Sequence, residues 1–437
     1  MRFKSVVYKK NKPFRSTAIF FILALFLSTT LFAETNSSIS DTTPLGANVE
    51  EFLAIARQMN PERAAMALEA EASVARVQGA GALPDPMVGL TFDDIMENSR
   101  GLPGRLGATK FTLQQELPWW GKRDVQRDLA ESESREALGK LSELDAEIAL
   151  RIKTAYADYH RVHLSMDQTS ELVEIMRTLV QLAQLRYAQG LALQQEATST
   201  EAERGALSVE LVRLGHERKR IRFRLNALIN RKPDAPVVEH PHLRPIPDEA
   251  TLDYHQLLIR ATTTNPALTI AHARLNTAKQ NHLLAEKDWY PNFNLGAGFK
   301  RPQNSAEKDS FEAMVEINLP LQRQSRQAQD RATAAAMQAA QETLNYEQLR
   351  LESTLQEALS TLQEAREVER VTTDSLLPQA RLALQSALKG YQTGASEVIA
   401  VLDAIQRLKK FQIALINAQF EQQTRLAEIE RLIGGDL

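Results

Sequence analysis

The 437-residue chain contains no cysteine. That excludes disulfide scaffolds, thiolate metal centres, iron–sulfur clusters, cysteine nucleophiles and an acylated N-terminal cysteine. Aromatic residues make up only 6%, while Ala, Leu, Gln, Glu and Arg dominate, a composition of long helices rather than of a β-sandwich. Beyond residue 33 no apolar run approaches the roughly 20 residues of a membrane helix. A mature chain in a membrane would have to cross it with strands. Nucleotide loops are missing too. Gly121-Lys122 is followed by Arg123, with Glu116 in place of the first P-loop glycine, and Gly296-Ala-Gly298 lacks the third glycine of a dinucleotide loop. No reaction chemistry is visible, so the chain reads as a non-enzyme without a cofactor. What is present is a large folded protein, since 43% of residues are hydrophobic, 24% are charged and the formal net charge is only -3.

Arg2, Lys4, Lys9, Lys10, Lys12 and Arg15 form a basic start, followed by an apolar run from Thr17 to Ala33. This reads as a secretory signal peptide over residues 1–33, cleaved after Leu31-Phe32-Ala33. An uncleaved anchor is the alternative, because the run is near the short limit for spanning a bilayer. Removing those six basic residues from the 52 leaves 46 against 55 acids, a mature balance of -9 that argues against a nucleic-acid partner.

The chain is duplicated. Asn60-Pro61 recurs as Asn265-Pro266, Pro86 as Pro291, Glu116-Leu117-Pro118 as Asn318-Leu319-Pro320, Tyr187-Ala-Gln-Gly190 as Tyr391-Gln-Thr-Gly394, and Ala227-Leu228-Ile229 as Arg431-Leu432-Ile433, at offsets of 205, 205, 202, 204 and 204. One offset across five landmarks predicts two copies, 47–230 and 248–437, joined by the proline-rich linker 231–247. Each copy reads as helix, two strands, then a helical hairpin. The strands, expected over about 87–94, 109–117, 292–300 and 311–319, show period-two alternation with one apolar and one polar face. Half-buried strands of a soluble sheet would alternate in the same way. Export and strands of about nine residues favour a lipid-facing barrel wall, but four strands cannot close one, since the smallest membrane barrels need about eight. Several chains must share it.

The hairpins are expected over about 122–230 and 321–433. From Leu141 to Tyr187 apolar residues recur every 3.5 residues, interrupted at Asp145 and Thr169, which is a coiled-coil seam. Gly190 should stop that helix. Val401, Ile405, Leu408, Phe411 and Leu415 begin a similar seam in the second return arm, and Pro378 predicts a kink or break in the outgoing arm.

Leu83-Pro84-Asp85-Pro86 before the first strand, Gln115-Glu-Leu-Pro-Trp-Trp-Gly-Lys122 after the second, and Tyr391-x-x-Gly394 followed by Val401-Leu-Asp-Ala404 resemble the TolC-like outer-membrane efflux proteins. The resemblance covers nearly all of the mature chain. It implies a mainly α fold with β: a homotrimeric outer-membrane β-barrel with four strands per chain, continued by a long periplasmic helical coiled-coil barrel. The implied partners are outer-membrane lipid, a periplasmic adaptor and an inner-membrane resistance-nodulation-division pump. The Pro-Trp-Trp-Gly-Lys turn is similar to the CzcC-like branch, which implies heavy-metal cations as cargo. Export of organic compounds, or type I protein secretion, fits the same fold. A periplasmic coiled-coil adaptor fits less well, because such proteins carry one hairpin flanked by small β domains.

On this reading Lys110, Glu116, Lys300, Glu312 and Glu316, on polar strand faces, line the pore, where charge stays hydrated. In the family the periplasmic end narrows at the second hairpin turn, where acidic rings select cations. By position Asp403 matches a ring residue and Tyr391 the tyrosine of the gating network, while Ala400 and Ser396 replace an acid and an arginine found in some members. Glu397 is a candidate for the missing charge, with a solvated helix-start acid as the alternative. His160-x-x-His163 and His240-Pro-His242 read as solvated histidines rather than metal ligands.

Overall fold

The computed structural model describes residues 43–93, 108–239, 242–302 and 308–437. The expected signal peptide and His240 lie outside the described residues. In chain order the first copy runs α1 (Val49–Met59), α2 (Pro61–Ala80), β1 (Met87–Asp93), β2 (Ala108–Leu117), α3 (Lys122–Ala188) and α4 (Gln194–Leu228). The second runs α5 (Tyr254–Thr264), α6 (Pro266–Lys287), β3 (Phe293–Pro302), β4 (Ser310–Ile317), α7 (Arg323–Val371), α8 (Leu377–Thr393) and α9 (Val398–Leu432).

The duplication is physical as well as sequential. Asn60 and Asn265 sit between the first two helices of their copies, each followed by a proline that needs no hydrogen-bond partner at a helix start. Their side-chain oxygens accept the N–H three residues on, of Arg63 at 3.0 Å and of Leu268 at 3.1 Å. Their amides donate to Leu228 and Leu432 carbonyls, at 2.8 and 2.9 Å, at the end of each copy's last helix. One residue type thus caps a helix and ties the start of a copy to its end.

α3 holds 67 residues, about 100 Å of helix at 1.5 Å per residue. Ile148, Ile152, Ala155, Tyr159, Val162, Met176, Val180 and Ala183 of the expected seam are buried. Its two interruptions each have a polar partner: Asp145 pairs with Arg63 of α2 at 2.7 Å, and the Thr169 hydroxyl donates to the Ser165 carbonyl at 2.7 Å. The helix is bounded by glycines in the left-handed region, Gly121 at φ 72 and Gly190 at φ 73.

Pro378 does not break the outgoing arm of the second hairpin. Residues Thr372–Leu376 form a π-helical turn between α7 and α8, with the Leu377 N–H bonded to the Thr372 carbonyl five residues back. One widened turn takes up the missing proline N–H and the crowding of its ring against the preceding turn, so the chain stays helical through Pro378. The linker is extended and fastened. Leu45 and Val237 form a parallel bridge, and the Asn226 amide donates to the Pro233 and Ala235 carbonyls.

Among the described residues the buried apolar side chains form three clusters. One joins α1, α3 and α4; one joins α5, α6, α7 and α9; the third draws on both hairpins near their turns, with Met176, Leu207, Leu384, Tyr391 and Ile405 among its members. Between the two copies lies a buried charge network. The Lys153 ammonium donates to Glu430 at 2.7 Å and to Asp436, and Arg244 of the linker grips Glu430 with two bonds of 2.9 and 3.0 Å. The Lys153 and Glu430 side chains are only 4% and 2% exposed.

Candidate functional site

The strands form a single antiparallel sheet in the order β1-β2-β3-β4. Each observed strand lies within two residues of its expected bounds. The register puts Leu90, Phe111, Phe299 and Phe311 in one row, with Val88, Leu113, Leu295, Val315 and Ile317 on the same face. These apolar groups are turned out of the protein: Val88 is 80% exposed, Phe311 84% and Val315 65%. A sheet that shows water its apolar face is inverted relative to a soluble one, and such a patch marks an interaction surface.

The opposite face carries all five predicted charged residues. Lys110 and Lys300 are directly opposed, Glu312 sits beside Gly298, and Glu116, Asn294 and Glu316 form one row. Like charges facing each other are offset by cross-strand partners: Lys110 pairs with Glu312 at 2.5 Å, and the Asn294 amide donates to Glu316 at 3.0 Å. Gly89 leaves room for its cross-strand neighbour, because a Cβ on it would lie 2.5 Å from the Thr112 hydroxyl.

At the far end of the hairpins, Tyr391 is fully buried. Its hydroxyl donates to Glu196 at 3.2 Å, and the Arg186 guanidinium lies 4.7 Å from its ring centre while donating to its backbone carbonyl. Burial, followed by the hydrogen bond and charge of Glu196, raises the tyrosine pKa against the pull of Arg186, so its hydroxyl stays a donor. The contact joins the α3–α4 turn to the α8–α9 turn, and drawing the two turns apart would break every bond in it. Arg186 and Glu196 were not found by sequence reasoning. Arg186 stands one residue before Tyr187, the repeat counterpart of Tyr391, and that offset is the signal that could have pointed to it.

The acidic candidates are nearby but not equivalent. Asp403 is exposed on α9 and pairs with Arg407 one turn on at 2.8 Å. Glu397 is the residue before α9, exposed and without a side-chain cap bond. Ser396 donates to the Ala387 carbonyl at 3.3 Å, packed so closely that a Cβ on Gly390 would fall 2.6 Å from its hydroxyl. Tyr391 and the two acids therefore share one turn region without touching each other.

The histidines correct the sequence reading of a solvated pair. His163 is buried and His160 is largely enclosed; burial, then the neighbouring His163 and His242, lower the His160 pKa and favour its neutral form. They lie beside the α3 seam residues Tyr159 and Val162, where burial is set by packing with partners far along the chain. Among the described residues no group of three or more His, Asp or Glu is placed to hold a metal ion.

Residues 257–435 match the sequence model of the family described as outer membrane efflux protein. No curated protein matches the chain in sequence. The structure is similar to the outer membrane protein VceC of Vibrio cholerae, at 21% identity and a TM-score of 0.77, covering 90% of this chain and 97% of that one. It is also similar to CusC, at 14% identity and 0.74 over 90% and 94% of the two chains. The open state of the MtrE outer membrane channel of Neisseria gonorrhoeae matches at 16% and 0.70, over 89% of each.

Proposed function

We propose that this chain works as the outer-membrane channel of a tripartite efflux system, a reading supported by the match of its second copy to the outer membrane efflux protein model and by its fold. It takes cargo from an inner-membrane pump and a periplasmic adaptor across the periplasm and the outer membrane. The observation that carries this reading is the inverted, unclosed sheet. Its apolar face suits hydrocarbon and its charged face suits a water-filled lumen. Its two edges, β1 and β4, have main-chain groups that must be paired inside a bilayer. Three chains, each joining β1 to a neighbour's β4, give twelve strands and remove every edge. The exposed Leu191 and Leu193, 64% and 69% accessible at the α3–α4 turn, offer apolar contact to the adaptor at the periplasmic end.

The cargo we assign is heavy-metal cations, supported by the Leu-Pro-Asp-Pro and Pro-Trp-Trp-Gly-Lys segments flanking β1 and β2. Asp403 and Glu397, three copies each around the narrow end, raise the local cation concentration. Arg407 pairs with Asp403 and weakens its share. Bilayer recordings in a salt gradient are expected to show cation preference, with zinc or cobalt chloride also carrying current. Asp403→Ala should shift the reversal potential toward zero, and Glu397→Ala by a comparable or smaller step. Unchanged preference in both variants would remove the acidic constriction, and loss of metal current alone would move the cargo to organic compounds.

A further inference from the structure

Where the sheet meets the long helices, a pocket of about 540 Å³ opens between the segment before β1, the end of β2 and the start of α3. Its upper wall is apolar and continuous with the exposed face of the sheet, through Leu117, Phe293 and Leu295. Its side is aromatic. Trp119 stacks on Tyr290 with ring centres 5.0 Å apart and lies 5.9 Å from Phe293, while Trp120 meets both Trp119 and Phe293 edge-on and is still 72% exposed. Its lower rim is cationic. Arg123 and Arg127 occupy successive turns of α3 on the same side, with Asp124 as the acid between them.

The two arginines are held in place and left with capacity. Arg123 uses its Nε on the Gly81 carbonyl at 2.8 Å, which fixes the guanidinium plane; among the described residues its two Nη groups meet no acceptor. Among the described residues Arg127 reaches only Asp124, at 3.3 Å. Two guanidinium groups and one carboxylate leave one net positive charge below an apolar wall and an exposed indole. Exposed tryptophan beside a lipid-facing surface marks the level of the headgroups.

We propose that this pocket binds one glycerophospholipid of the periplasmic leaflet, its phosphodiester on Arg123 and Arg127 and one acyl chain along Leu117, Phe293 and Leu295. The assignment rests on the outer-membrane reading above. A phosphodiester carries a single negative charge and presents two acceptor oxygens, which match the net charge of the rim and the forked donors of arginine. Each protomer so loaded is fixed at the depth where its strands give way to helix.

The test is native mass spectrometry of the full-length detergent-extracted assembly, supplied in turn with phosphatidylglycerol, phosphatidylethanolamine, a diacylglycerol of the same chains, or inorganic phosphate. Both phospholipids should be retained on each protomer and the diacylglycerol should not. Arg127→Gln with Arg123→Lys should lower phospholipid retention about tenfold, with oligomeric state and conductance unchanged. Lipids brominated in the acyl chain should quench tryptophan emission, and Trp120→Phe should remove a large part of that quenching. Equal retention of diacylglycerol, no effect of the arginine substitutions, or occupancy by phosphate alone would overturn the site while leaving a conducting channel intact. Absence of quenching at Trp120 would put a protein surface over the pocket and overturn it as well. Failure of the chain to enter membranes at all would instead remove the channel reading on which the site rests.

Discussion

Val315→Arg is expected to abolish assembly in the outer membrane, whereas Glu316→Arg, one residue on, leaves it largely intact. Val315 lies opposite Leu295 on the apolar face and is 65% exposed. On the channel reading a charge there would face the middle of the lipid, at a cost of about 2–4 kcal/mol per chain, repeated in each of three chains. Glu316 points the other way, beside Asn294 on the charged face. An arginine at that position loses one 3.0 Å hydrogen bond from the Asn294 amide but stays hydrated. Leu295→Arg and Asn294→Arg should split in the same way. The readout is the fraction of heat-resistant oligomer in outer-membrane fractions, and equal losses from both faces would contradict the placement of lipid and lumen.

The second large effect concerns the buried charges. Glu430→Ala leaves the Lys153 ammonium, 4% exposed, and the Arg244 guanidinium, 17% exposed, without their shared carboxylate. Lys153 keeps Asp436 while Arg244 loses its carboxylate, so the cost falls toward the lower end of the about 3–5 kcal/mol of a fully stranded buried charge. Lys153→Met should cost less, because Arg244 still neutralises Glu430 through two bonds. The double variant with Lys153→Met and Glu430→Leu should recover part of the loss seen in Glu430→Ala. Thermal unfolding of the purified assembly separates these cases, and identical midpoints for Glu430→Ala and the parent would contradict the network. Asp436 adds a pH arm. Burial raises its pKa, but the Lys153 hydrogen bond and charge, with Arg244 and Arg57, outweigh burial and hold it below the usual value. Its contribution is therefore present above the ordinary aspartate value of about 4 and is lost as the pH falls through the lower folded value.

The strands were legible because alternation with period two survives whatever covers the sheet, and which side is apolar does not depend on a partner. The C-terminal end of α3 was legible because Gly190 stops it, and in the structure that glycine takes a positive φ. Pro378 shows the limit of a local rule. A proline removes one N–H, but whether the helix breaks or widens depends on the helices packed beside it. Lys153 was not legible at all: a lysine beside the seam reads as solvated, and only partners 277 and 283 residues away make it part of the interior. Arg186 was hidden for the same reason, since its contact with Tyr391 spans 205 residues. The face of the sheet could be read locally; the side chains that hold the two copies and the two hairpin turns together could not.

The central claim is that three chains close one barrel through the β1 and β4 edges. The natural chain has no cysteine, so every thiol bridge can be an engineered one. Thr91 and Ser310 lie at opposite edges of one row of the register, which runs from Thr91 through Lys110 and Lys300 to Ser310. A chain carrying Thr91→Cys and Ser310→Cys, treated in isolated outer membranes with a short bis-maleimide, should give bands of one, two and three chains and nothing larger. A chain that stays monomeric, or a ladder that runs on past three, would contradict the closed three-chain barrel.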